Sequence, residues 1–401
     1  VSDLYDLPNG WEWAKLKDVC DLLNGYAFKA KEYVEHSETV IIRMGNIRPN
    51  GGFDAEHKIK YLPNKYKDEL PNYILNDGDL VIAMTDLASE MRILGNPTLV
   101  SNTNGRTFML NQRVGKLHKF DYDKIVVGYL RYILSATQIK DYYKSLGGGG
   151  LQINIGKQQI LSVEFPLPPL SEQQRIVSKL DNLFEKIDKA IALHVKNMDE
   201  ADVFMGSVLN DVFGELEEKY EKKQLKDIVD NFDGKRIPIK SSDRESMSGE
   251  YPYYGASGII DYVNDYIFDG EYLLISEDGA NLEVRKYPIA FIANGKFWVN
   301  NHAHIVSAKE DISTNKYMEY VFAYTDISDF ITGSAQPKMS QKKMNLIEFV
   351  IPPLNIQQKV VKYLDEISKK IEKVKRVQKE KMDSLKALKA SILDKAFRGE
   401  L

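Results

Sequence analysis

Apolar residues recur at three- and four-residue spacing over two long stretches of the chain. In the first they are Ile176, Leu180, Leu183, Ile187, Ile191, Val195 and Met198, resuming at Met205, Leu209 and Val212. In the second they are Val360, Leu364, Ile367, Ile371 and Val374, resuming at Leu385, Leu388 and Ile392. This spacing lays one apolar stripe along a helix. Its persistence predicts two coiled-coil rods, weakest at Ala201-Asp202 in one and Gln378 to Lys381 in the other. About 43 helical residues at ~1.5 Å each make a rod of roughly 65 Å. Each rod follows a proline pair, Pro168-Pro169 or Pro352-Pro353, which ends any earlier helix. Ser171 with Gln174, and Asn355 with Gln358, have the spacing of a capping box.

The rods are two copies of one sequence. Pro168-Pro169-Leu170-Ser171-Glu172-Gln173-Gln174 returns as Pro352-Pro353-Leu354-Asn355-Ile356-Gln357-Gln358, an offset of 184 residues. At the same offset Leu180-Asp181 matches Leu364-Asp365, Ile187 matches Ile371 and Phe213 matches Phe397. Repetition on this scale governs the fold assignment.

Outside the rods the pattern changes. Residues 1–165 read as a mixed α/β domain. Val40 to Met44, Leu80 to Ala83, Phe108 to Leu110 and Val114 to Leu117 are short apolar runs bounded by turn residues, hence strands. Leu130, Ile133, Leu134 and Ile139 have helical spacing within Gly128 to Tyr143, and Gly147 to Gly150 reads as a loop. Residues 223–350 repeat much of this: Leu225-Lys226-Asp227-Ile228 matches Leu16-Lys17-Asp18-Val19, and Phe297 to Asn301 resembles Phe108 to Gln112. The expected organisation is a globular domain at 1–165, a rod at 166–222, a second globular domain at 223–350 and a second rod at 351–401.

Charge decides how the rods pair. The chain of 401 residues has a net charge of −4, but the two rods carry −5 and +6. A lone amphipathic rod exposes its stripe, and the opposite charges favour pairing of the two copies with each other. An antiparallel arrangement needs only one compact domain to bridge the end of one rod to the start of the next. The predicted fold is therefore two α/β (mixed α+β) globular domains related by a pseudo-two-fold axis and separated by a long antiparallel two-helix coiled coil.

Other chemistry is sparse. No apolar run is long enough to span a bilayer, and Val1 to Leu4 lack the features of a signal peptide. The single cysteine, Cys20, excludes an internal disulfide, suits a reducing cytoplasm and reads as a buried small hydrophobe. Gly150 to Lys157 fails as a phosphate loop, because Leu151 stands where glycine is needed and Gln158 follows the lysine. His302-x-His304 puts two histidines on one strand face, where polar or core side chains are expected rather than a metal site.

The order globular–helix–globular–helix, with Pro166-Leu167-Pro168-Pro169-Leu170-Ser171-Glu172-Gln173-Gln174-Arg175-Ile176-Val177, resembles the specificity subunit of type I restriction–modification systems. The similarity extends to Gly45-Asn46-Ile47, Leu151-Gln152-Ile153-Asn154 and Asn301-His302-Ala303. It implies that each globular domain is a target recognition domain for one half of a split, asymmetric site on double-stranded DNA. It implies that the rods act as a ruler and bind two modification subunits, with restriction subunits as further partners, in a prokaryotic cytoplasm. The chain itself is expected to be non-catalytic and without a cofactor. S-adenosylmethionine belongs to the modification subunits, and ATP with Mg to the restriction subunits. The sequence departs from the motif where Glu172 is replaced by Ile356 in the second copy.

Under that resemblance, basic and amide residues in or beside loops are candidate DNA contacts, each equally at home on a solvated surface. In the first domain they are Lys29, Lys31, Arg43, Asn46, Arg92, Arg106 and Lys144; in the second, Lys235, Arg236, Lys240, Arg244, Asn281, Lys296 and Lys338. Candidates for the spacer and its partners are Ser171, Glu172, Gln173, Gln174, Ile176, Leu180, Leu183 and Ile187, with Asn355, Gln357, Gln358, Val360, Leu364, Ile367 and Ile371. The main alternative is a scaffolding protein whose two globular domains bind protein partners. An enzyme with sites in those domains is a second, which the missing motifs disfavour.

Overall fold

The computed structural model describes residues 6–49, 51–89, 91–102, 104–146, 151–333 and 336–401; Gly147 to Gly150 and Val1 to Leu4 lie outside them. The chain forms two compact units. One holds the described residues up to Leu193 together with Lys381–Leu401, and the other is His194–Glu380.

Two four-stranded sheets build the first unit. In one, the order is Asp21–Asn24, Val114–His118, Leu80–Ala83, Pro97–Leu99, all antiparallel. In the other it is Tyr61–Leu62, Thr39–Ile42, Thr107–Leu110, Ile74–Leu75. Its two central strands are parallel, with Ile42 opposite Leu110. Thr39–Ile42 and Leu80–Ala83 are buried along their whole length, which explains why they read as continuous apolar runs rather than alternating ones.

The second unit repeats this topology. One sheet runs Val229–Asn231, Ala303–Ala308, Tyr272–Ser276, Ala290–Ala293; the other runs Gly258–Val263, Ser248–Gly255, Lys296–Val299, Phe268–Asp269. Again the central pair of the second sheet is parallel, with Tyr254 opposite Val299. A short antiparallel pair closes each unit before the prolines: Glu12–Lys15 with Glu164–Leu167, and Lys222–Gln224 with Glu348–Val350.

One expectation fails locally. The helix anticipated over Gly128 to Tyr143 is two helices, Val127–Ile133 and Thr137–Ser145. The Ser135 hydroxyl donates to the Arg131 carbonyl at 2.9 Å, and Ala136 takes an extended conformation. A serine bonding back to the preceding turn competes with helix continuation. The break lets Tyr129, Ile133, Ile139 and Tyr143 all reach one core.

The two long helices are Leu170–Glu217, 48 residues, and Leu354–Phe397, 44 residues. The first starts one residue before Ser171, with the Pro169 carbonyl accepting from the amides of Glu172 and Gln173 at 2.9 and 3.0 Å. Ser171 and Asn355 therefore lie inside the first turn, and the capping-box reading is corrected. Gln174 and Gln358 are exposed. It is the preceding glutamine that is buried in each copy, Gln173 and Gln357, both fully. Gln173 accepts from the Val126 amide and donates to the carbonyls of Lys124 and Pro168, each at 2.8 Å. Gln357 repeats this, accepting from the Ser313 hydroxyl and donating to the carbonyls of Ile312 and Pro352, each at 2.8 Å.

Within each unit the two helices run antiparallel. In the first, Arg175 donates to the Leu401 carbonyl at 2.7 Å and Lys389 pairs with Asp188 at 2.8 Å. In the second, Lys375 pairs with Asp202 at 2.6 Å, and His194 meets Gln378. The lysines of the basic helix thus face aspartates of the acidic one, as the charge split requires, although such exposed pairs each contribute little. The apolar stripe carries the packing: Ile176, Leu180, Phe184 and Ile187 join Leu393, Ala396 and Phe397 in the first core, and Val208, Leu209 and Phe213 join Leu364 in the second. Leu183, Val360 and Ile367 are half-buried against these cores, and Ile371 is half-buried. Three expected stripe positions are corrected: Val195, Val374 and Leu388 are 44%, 44% and 49% exposed. Around the first two, hydrogen-bonded and charged pairs replace apolar contact between the helices.

Symmetric positions carry symmetric loads, so they give a matched test. Leu180 and Leu364 are both 0% exposed. Leu180→Ala is expected to cost the first unit about 3 kcal/mol and Leu364→Ala the second unit a similar amount, read by hydrogen exchange as lost protection confined to the unit altered. Loss spread evenly over both units by either change would contradict the separate cores.

Candidate nucleic-acid interface

A parallel strand pair delivers both of its following loops to the same end of the sheet. In the first unit this brings Arg43, Met44 and Gly45, which follow Ile42, beside Asn111, Gln112 and Arg113, which follow Leu110. A cavity of about 350 Å³ opens there. Its walls include the aromatic rings of Phe28 and Tyr33, and its polar lining includes Arg43, His57, Lys58 and Arg113. No carboxylate among the described residues lines it. Arg43 donates to the Lys58 carbonyl at 2.6 Å through one terminal nitrogen, while its buried Nε has no partner. Asn111 is buried, and its side-chain oxygen accepts from the Arg113 amide at 3.4 Å, which turns Gln112 and Arg113 outward. Neither of those two exposed side chains makes a hydrogen bond or ion pair among the described residues.

The second unit builds the same turn with different side chains. Asn300 is buried and its side-chain oxygen accepts from the His302 amide at 2.8 Å. From the register, Gly255 stands where the first unit has Arg43, Asn301 where it has Gln112, and His302 where it has Arg113. The His302 ring is half exposed and held by Asp278 at 2.8 Å. One scaffold thus presents an array of donors in one unit and a histidine–carboxylate pair in the other.

Behind His302 lies a buried charged cluster. His304 is 1% exposed, with Nδ1 on Asp233 at 2.6 Å and Nε2 on the Met339 carbonyl at 2.8 Å. Arg236 bonds Glu277 at 2.7 Å and the Ala303 carbonyl at 2.8 Å, and Lys338 reaches Glu277 at 3.1 Å. Burial is the largest single influence on the Asp233 carboxyl and pushes it up, but the bond and charge of His304, the Ile305 amide and Arg236 together outweigh it and hold the group below its ordinary range. Glu277 is likewise lowered: burial opposes ionisation, and Arg236, His304 and Lys338 more than offset it. The histidine pair anticipated on one strand face is divided, His302 at the surface and His304 in the interior. Cys20 is buried as expected, and burial, aided by Asp21, pushes its thiol up to about 12.

A family model for the type I restriction modification DNA specificity domain matches this chain twice, over residues 8–197 and 217–380. The chain belongs to that family. A putative type I restriction enzyme specificity subunit of Haemophilus influenzae is 40% identical over 149 residues, a stretch covering 37% of this chain and 37% of that protein. The putative MjaX specificity subunit of Methanocaldococcus jannaschii is 25% identical over 413 residues, covering 96% of this chain and 93% of its own length. A chain from a solved structure on complex assembly and conformational transition of the type I R-M system shares the fold, with a TM-score of 0.70 at 21% identity, covering 99% of this chain and all of that one.

The candidate residues of this specificity-family chain occupy varied settings. Lys29, Lys240 and Arg92 are exposed loop residues, and Lys31 and Lys235 are exposed on single 3-10 turns, Ala30–Glu32 and Asp233–Lys235. Lys296 is exposed and lies over the Tyr266 ring, 4.5 Å from its centroid. Arg106 and Lys144 are paired with Glu56 and Asp141. Four others are engaged in holding loops. Asn46 is 1% exposed, accepts from the Arg43 amide at 2.8 Å and donates to the Asp54 carbonyl at 2.9 Å. Arg236 sits in the charged cluster. Arg244 is pinned to Asp261 at 2.7 Å, and Asn281 brackets Tyr287 through both of its backbone groups. The cavity adds residues that the sequence reading passed over: His57, Lys58, Gln112 and Arg113. The signal was present, since the match of Phe108 to Gln112 with Phe297 to Asn301 ends one residue short of Arg113.

The Glu172-to-Ile356 difference also has a structural account. Glu172 grips Arg175 through two 2.7 Å bonds, and its carboxyl is lowered by that contact. Arg175 in turn reaches the Leu401 carbonyl. Ile356 instead packs against the second core. Each residue serves the start of its own helix, one by charge and one by apolar contact.

Proposed function

We propose that this chain is the non-catalytic, DNA-reading subunit of a type I restriction–modification complex. Each globular domain reads one half of a split target, and the helices, 48 and 44 residues long and so roughly 70 and 65 Å at ~1.5 Å per residue, set the spacing and dock two modification subunits. Those partners carry S-adenosylmethionine and methylate adenine, and restriction subunits would supply ATP- and Mg-dependent steps. The observation that carries this reading is one turn built twice: buried Asn111 and Asn300 present Gln112-Arg113 in one unit and Asn301-His302 in the other. A duplicated scaffold with unlike side chains at the same place is what reading two unlike half-sites requires.

The test is binding by the chain assembled with its modification subunits. Affinity for one split duplex is expected to exceed that for random duplex by about a thousandfold or more, and to fall steeply with added salt. Equal affinity for all duplexes would defeat the proposal and favour a protein scaffold. Exchanging 223–350 for a related domain is expected to change one half of the target only.

A further inference from the structure

We infer that the cavity between the loop after Ile42 and the loop after Leu110 is a guanine-reading site, with Arg113 as its specificity-determining residue. This rests on the DNA-reading function proposed above and names the chemistry of one half-site.

The lining selects the ligand. Arg43, Lys58 and Arg113 present donors only, and no described carboxylate faces them. The site therefore suits a partner whose exposed edge is all acceptor. Guanine presents two adjacent acceptors, N7 and O6, in the major groove, and the planar arginine fork matches them in a paired contact. Adenine presents one acceptor and one donor there, so the same fork loses one bond and meets a like group. Arg113 is free to make the contact: it is exposed, unpaired among the described residues, and oriented by the turn that buried Asn111 fixes. Arg43 lines the same cavity and is held there by its bond to the Lys58 carbonyl. Phe28 and Tyr33 give the cavity flat apolar walls.

The assignment is confined to the first domain. At the matching place the second domain has His302 tied to Asp278, with Gly255 in place of Arg43. A carboxylate beside the rim repels an all-acceptor edge, so the second half-site is read by other chemistry.

The acceptor edge could also belong to a backbone phosphate, and the experiment separates the two. The target is first mapped from methylated adenines in cells expressing the whole complex. Duplexes carrying that target are then made with 7-deazaguanine at one guanine at a time, which removes N7 and leaves every phosphate in place. For the complex with the unaltered chain, one such replacement in the half read by the first domain is expected to weaken binding roughly tenfold or more. With Arg113→Ala, binding to the normal duplex falls by a similar factor and that replacement no longer matters. Arg113→Lys keeps the charge but not the fork, so base preference is lost while the salt dependence is retained. The inference is overturned if Arg113→Ala stays fully sensitive to the replacement. It is equally overturned if the variant weakens all duplexes evenly and lowers the salt slope by about one, the mark of a phosphate contact. A complex of the unaltered chain that prefers no sequence defeats the proposed function itself, and that is seen before any variant is made.

Discussion

Gln173→Leu is expected to destabilise the first unit by about 3 kcal/mol, although the change adds apolar character at a buried position. Gln173 is fully buried, and its amide makes three hydrogen bonds to the backbone. Leucine would leave the Val126 amide and the carbonyls of Lys124 and Pro168 without that partner in the interior. Each orphaned buried group costs about 1–3 kcal/mol, which outweighs the fraction gained by burying leucine's methyls. The neighbouring Gln174 is exposed, so Gln174→Leu should change stability by less than ~0.5 kcal/mol. Denaturant midpoints with hydrogen exchange at the Val126 amide measure both. Equal effects from the two substitutions would show that the helix is held by its stripe alone.

This residue also shows how far the sequence was legible. The repeat at 184 residues and the paired helices follow from patterns local in the chain. Gln173 was legible in principle, because 173, 176, 180, 184 and 187 form one helical stripe and a polar residue at its first position calls for buried partners. The capping-box spacing of Ser171 and Gln174 points one residue past it. The repeat reaches further than sequence identity: Tyr129 and Tyr317 both donate to a carbonyl of the strand leading to the prolines, Pro166 and Val350, at 2.7 and 2.9 Å. Tyr132 and Tyr320 both bond the helix aspartate of their own unit, Asp181 or Asp365.

The cavity was less legible. Its walls come from Phe28 and Tyr33, from the segment around Arg43, from His57 and Lys58, and from Arg113. Only the parallel register of Thr39–Ile42 against Thr107–Leu110 brings these together, and pairing across such a separation leaves no periodic trace. Basic residues near loops could be named, but not sorted into those that face outward and those, like Arg236 and Arg244, that tie the fold.

His304→Leu is expected to remove about 3–5 kcal/mol from the second unit at neutral pH, the range for leaving a buried charge without its partner. Both ring nitrogens of His304 face acceptor oxygens, Asp233 at 2.6 Å and the Met339 carbonyl at 2.8 Å. Leucine would leave Asp233 desolvated, with Arg236 3.4 Å away as its remaining cation. The pH dependence follows from the direction of the carboxyl shifts. Asp233 and Glu277 are held below their ordinary range. Their contribution is full above the unfolded carboxylate pKa, about 4, and is lost as pH falls through the lower folded values. In the variant the largest influence lowering Asp233 is gone and burial is left to raise it, so acid relieves the buried charge. The deficit of the variant should therefore shrink as pH falls toward about 4, where its own buried carboxylate takes up a proton, and further below about 4, where the unaltered chain loses the carboxylate contribution. Guanidinium midpoints at neutral and acid pH test this; a deficit independent of pH would mean that His304 contributes by volume alone. The first unit supplies the contrast. Gly115 opposite Ile82 occupies the place of His304 opposite Ile275, and a Cβ there would meet Leu22 at 2.7 Å and Met84 at 3.1 Å. Where one copy fills this site with apolar side chains, the other fills it with charge, so acid sensitivity from this position should appear in the second unit alone.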